Sequence, residues 1–116
     1  MPIIRVHAST PISAAQQTAL KSVFGKAIET IPGKSEGWLM CQFLGDVPTF
    51  FAGSDDQPAA YIEVNAFARN PIASSVWEEL TGKIMPAVSS ELGIAADRIY
   101  IRYTATDDWG WNGGNF

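Results

Sequence analysis

Two prolines constrain the fold more than any other feature of this chain, because each sits at the same point of a repeated pattern. Thr10-Pro11 and Asn70-Pro71 each follow a β-rich apolar run, Ile3 to Ala8 in the first case and Ala59 to Phe67 in the second. Both dipeptides read as a helix cap with proline at the first helical position, where the missing amide donor has no intrahelical partner to lose. Beyond the first, Leu20, Val23, Phe24, Ala27, Ile28 and Ile31 recur at the i, i+3, i+4 spacing of one buried helical stripe, ended by Pro32-Gly33. Beyond the second, Ile72, Val76, Leu80, Ile84 and Val88 recur every four residues toward Leu92-Gly93. Pro86 falls inside this pattern, where it removes a donor and crowds the carbonyl of Gly82. The sequence therefore predicts a kink near residues 82–86.

Each helix leads into a further strand, Trp38 to Leu44 after the first and Arg98 to Thr104 after the second. Between the halves, Gly45, Asp46, Pro48, Gly53, Ser54, Asp55, Asp56 and Pro58 mark a loop, in which Thr49 to Ala52 could form a short strand. Two β-α-β units in 116 residues predict a single α/β domain (α+β in some schemes) spanning residues 1–116. Its four strands form one mixed sheet, with both helices on one face. The other face is then uncovered. Because Trp38, Met40 and Leu44 alternate with Leu39, Cys41 and Phe43, that face is expected to be a large apolar patch, and oligomerisation is the simplest cover for it.

Composition excludes several classes of function. Eight Lys and Arg against twelve Asp and Glu give a net charge of −4, which removes the driving force for binding nucleic acid or anionic lipid. No apolar run approaches the ~18 residues of a membrane span, and the start MPIIRVHASTP lacks the pattern of a signal peptide. Synthesis in the cytosol is expected, without membrane insertion. Cys41 stands alone and His7 is the only histidine, so neither an internal disulfide nor a His/Cys zinc set is expected. None of the Gly-Lys pairs at 25–26, 33–34 and 82–83 has the preceding glycine that a phosphate-binding loop requires.

Specific order then matters more than composition. Met1-Pro2 opens a strand, Gly33-Lys34 follows the first helix, and the chain closes on DRIYIRYTATDDWGWNGGNF. In this order and at these separations the sequence resembles the family of macrophage migration inhibitory factor and D-dopachrome tautomerase over essentially its whole length. The resemblance implies a homotrimer with no cofactor and no metal, and keto–enol tautomerase activity on small α-keto acids such as phenylpyruvate. The general base would be Pro2, freed by removal of Met1. A free N-terminal proline is a secondary amine that can accept a proton once burial and nearby positive charge lower its pKa.

The same resemblance assigns the other candidate residues. Lys34 would receive a substrate carboxylate and lower the basicity of Pro2. Phe67, Trp109, Trp111 and Phe116 would form the apolar wall and mouth of the pocket. Tyr100 and Arg102, two apart and so on one face of the last strand, would reach it from a neighbouring subunit. Arg102 stands where the best-known mammalian member has asparagine, and its guanidinium could hold a carboxylate with two hydrogen bonds. Ala59 and Ile62 replace a Cys-x-x-Cys pair of that member, so thiol–disulfide exchange is not expected here. Other readings stay open on sequence alone, including a plain structural trimer if Met1 is retained, since a proline in a peptide bond has no basic nitrogen. Another is a cytokine-like protein exported without a signal peptide and acting on a receptor; a third is a decarboxylase or hydratase built on the same scaffold.

Overall fold

The computed structural model describes residues 1–116. Its elements follow in the order β1 (Pro2–Ala8), α1 (Ala14–Ala27), β2 (Met40–Leu44), β3 (Ala60–Phe67), α2 (Ser74–Leu92) and β4 (Ile99–Thr106), with a small terminal hairpin of β5 (Gly110–Trp111) and β6 (Gly114–Asn115). The first four strands form one sheet in the order β2-β1-β3-β4. β1 runs parallel to β2, β3 runs parallel to β4, and the two central strands are antiparallel, which makes the sheet mixed.

Alternation along the central strands fixes which face is covered. Ile4, Val6, Ile62 and Val64 are fully buried and pack with Leu20, Phe24 and Ile28 from the first half and Leu80, Ile84 and Val88 from the second. Both helices therefore share one face, and each large side chain in this layer is worth about 1.5–3 kcal/mol of transfer free energy. The opposite face departs from expectation. Arg5, His7, Gln42, Glu63 and Arg102 project there among Met40, Leu44 and Tyr100, so it is a mixed polar and apolar surface rather than an apolar patch. The reason lies in the alternation of the neighbouring strands, which sets Arg5 and His7 of β1, Glu63 of β3 and Arg102 of β4 beside the exposed Met40 and Leu44 of β2.

Both helices begin later than the prolines suggest. Ser13 caps α1, its hydroxyl accepting from the Gln16 amide at 3.1 Å while its own amide donates to the Gln16 side chain at 2.8 Å. This reciprocal box satisfies two donors at once, which Thr10 could not do. The Thr10 carbonyl instead accepts from the Asp46 amide at 3.0 Å, tying the exit of β2 to the entry of α1. Gly45 is required at that crossing, since a Cβ there would lie 2.9 Å from the Ile12 nitrogen. α2 starts after Ala73, which supplies no side-chain cap, and continues through Pro86 without ending. It stops at Gly93, whose φ of 66° closes the helix in the left-handed conformation that glycine adopts readily.

Three smaller expectations are corrected. Trp38 belongs to a short 3-10 turn, Glu36–Trp38, rather than to β2. The Thr49 to Ala52 segment forms only a bridge between Phe51 and Ser54, because Ala52 and Gly53 both take positive φ and turn the chain back at once. β4 extends to Thr106, since its parallel pairing continues as far as Phe67.

Candidate functional site

The chain start is held at one end of the sheet. Pro2 is buried in register with Ala66, and the Met1 carbonyl accepts a 2.9 Å hydrogen bond from the Phe67 amide. After α1, Gly33 takes a φ of 80° and the Lys34 amide donates to the Ile31 carbonyl at 3.1 Å, a turn that returns the chain toward the sheet. Lys34 consequently reaches the N-terminal amine, and its ammonium lies 5.3 Å from the centre of the Phe67 ring. Burial, then the Lys34 charge and its hydrogen bond, lower the Met1 amine from an ordinary pKa of 8.0 to about 6.

The terminal hairpin completes the wall. Asn112 and Gly113 both have positive φ, the conformation demanded by a two-residue turn of this hand. The hairpin folds back so that Trp111 meets Trp38 edge-on at 5.3 Å and Phe116 meets Phe67 at 5.2 Å. Met1, Pro2, Trp38, Met40, Trp109 and Trp111 line a cleft of about 430 Å³. A second cavity, of about 480 Å³, lies beside it across Lys34 and Phe67, which both contact Met1, and is lined further by Ile31, Arg69, Ile72 and Val76.

Of the residues singled out from sequence, Pro2, Lys34, Phe67, Trp109, Trp111 and Phe116 are thus gathered at one end of the sheet. Tyr100 and Arg102 are not. Both are exposed on β4, in register with Tyr61 and Glu63, and Tyr100 packs against Phe51 at 5.2 Å. Sequence reasoning missed Trp38, where Gly37 could have signalled a turn, and Arg69, for which no pattern spoke. No group of three or more His, Cys, Asp and Glu side chains forms a metal-binding cluster, and no helix is long and apolar enough to cross a membrane.

A profile of the macrophage migration inhibitory factor family matches residues 1–116, the entire chain. The chain belongs to that family. Among solved structures, Leishmania major MIF2 is 34% identical and superposes with a TM-score of 0.90, covering 100% of this chain and 97% of its own. The macrophage migration inhibitory factor homologue of Prochlorococcus marinus is 32% identical with a TM-score of 0.84 and covers 98% of each chain. The protein from Toxoplasma gondii, at 24% identity and a TM-score of 0.84 over 98% of this chain and 99% of its own, supports the fold. No curated protein sequence gives a significant match. Membership of the macrophage migration inhibitory factor family supports a tautomerase-type or cytokine-like function, and for an enzyme an isomerase of the tautomerase superfamily.

Proposed function

We propose that the protein is a keto–enol tautomerase of small α-keto acids such as phenylpyruvate, with Pro2 as the base once Met1 is removed. The observation that carries this reading is the N-terminal amine, partly buried beside Lys34 at the edge of an aromatic cleft. The same burial and the same positive charge would act on the secondary amine that excision creates, keeping it unprotonated near neutral pH. Excision would also release the Phe67 amide from the Met1 carbonyl it now serves. A backbone donor would then be available beside the new amine.

The chemistry follows from these groups. Lys34 holds the substrate carboxylate, while Trp111 and Phe116 receive its apolar end. The C–H bond next to the ketone breaks, its proton passing to the Pro2 nitrogen and its electron pair forming the enolate. The Phe67 amide donates to the enolate oxygen, and the proton then moves from nitrogen to oxygen to give the enol. In a homotrimer, Tyr100 and Arg102 of a neighbouring copy would close the cleft. Intact mass should show loss of Met1, and Pro2→Gly should lower phenylpyruvate enolisation by orders of magnitude with an unchanged circular dichroism spectrum. Turnover should rise as pH is raised through the lowered pKa of the Pro2 amine, since the base works only when unprotonated. Near-normal turnover by Pro2→Gly, or retained Met1 in an active preparation, would overturn the reading.

A further inference from the structure

We propose that the ligand of this site is a dianion, a keto acid with a second carboxylate, and that Arg69 binds the second carboxylate. The inference deepens the tautomerase reading and rests on it for the identity of the keto acid. It starts from a pair of cations. Arg69 lies 5.4 Å from the centre of the Phe67 ring, and Lys34 lies 5.3 Å from the same point. Both line the cavity beside the Pro2 cleft.

Neither cation has a carboxylate partner. The ion pairs of the chain are Arg5–Glu63 and Glu79–Lys83, and no acidic residue lines the cavity. In a chain with twelve acids and eight bases, two cations sharing one ring with no acid between them form an unsatisfied positive patch. Nothing else at the cavity offsets it, since α2 begins there just after its cap residue Ala73 with no acidic residue in its first turn, and adds the positive end of its dipole. Within one subunit, Lys34 meets a single substrate carboxylate and leaves Arg69 over. Arg69 presents a planar fork suited to a second carboxylate, and Ile31, Ile72 and Val76 give an apolar surface for the carbon chain between the two charges.

Solvent deuterium exchange beside the ketone, followed by proton NMR, reads enolisation of any α-keto acid. The purified protein is compared on 2-oxoglutarate, on its ester at the distal carboxylate, and on phenylpyruvate. The wild type should prefer the diacid over the ester by about tenfold or more in kcat/KM, mostly through KM. Arg69→Gln should abolish that preference and Arg69→Lys should retain part of it. An equal preference in wild type and Arg69→Gln, or none in the wild type, overturns the proposal, and exchange on phenylpyruvate in that case leaves the tautomerase reading intact. Calorimetric titration with 2-oxoglutarate separates the two ideas from the other side. Binding that depends on Arg69 without any exchange supports the dianion site and overturns the tautomerase reading. Absence of both binding and exchange overturns both.

Discussion

The two faces of the sheet are made from alternate residues of the same strands, yet they answer to different demands. On β1 and β3, Ile4, Val6, Ile62 and Val64 face the helices with no exposure, and none of the buried residues is polar or charged. One residue away in each case stand Arg5, His7, Tyr61 and Glu63, with Arg102 continuing the row on β4. The covered face stabilises the chain by itself. The open face keeps groups that an isolated subunit does not need, among them a buried Arg5 Nε and His7 Nδ1 that have no hydrogen-bond partner. Unpaired polar atoms of that kind cost free energy in a lone chain, so the comparison teaches that one face encodes folding and the other encodes what the folded chain meets.

The largest expected contrast is in stability. Phe24→Ala opens a cavity in the covered layer and should cost about 3–5 kcal/mol, whereas Gln42→Ala on the exposed side of β2 should cost less than about 0.5 kcal/mol, both read from denaturant unfolding. Comparable costs would mean that the open face is also a core. The next effect concerns Arg102. If the open face packs against other copies, light scattering should give about three chain masses, and Arg102→Asn should lower kcat/KM for an acid substrate roughly ten- to a hundredfold. It should lower an esterified substrate less, and raise the midpoint of the pH–rate profile. Equal loss on acid and ester would return Arg102 to a solvent-facing role. The smallest effect is expected at the Arg5–Glu63 pair, 3.8 Å apart and partly exposed. A double-mutant cycle should give about 0–1 kcal/mol in a dissociated subunit, with a larger coupling in an assembled one.

How far the sequence revealed this arrangement depended on how unambiguous each local pattern was. The helical stripes were legible because Leu20, Phe24 and Ile28, like Leu80, Ile84 and Val88, repeat at the period of the structure they form. The helix starts were not, because Thr10 and Ser13 both have capping chemistry and only the reciprocal bond with Gln16 decides between them. β2 was legible as a strand but not as a surface. Met40, Cys41, Phe43 and Leu44 are all apolar, so Gln42 alone marked which of them would face water. At the site, resemblance pointed to Pro2 and Lys34, but their approach depends on the left-handed turn at Gly33. Arg69 was invisible for a different reason: a lone arginine after a strand has no periodicity, and only the shared ring of Phe67 gives it a place.

The position of β1 has a consequence for how the chain is made. It is the earliest strand in the sequence, yet it lies inside the sheet, hydrogen-bonded to β2 on one side and β3 on the other. During synthesis its apolar residues Ile3, Ile4 and Val6 must therefore wait for residues 60–67 to leave the ribosome. At ~5–20 residues per second that is a delay of several seconds. For that interval the segment has at most its β2 partner, and in the proposed function it would be accessible to the enzymes that trim nascent N-termini. Once β3 arrives, the Phe67 amide bonds to the Met1 carbonyl and the opportunity narrows. Under the proposed function, maturation of the site would be a race between trimming of Met1 and sheet closure.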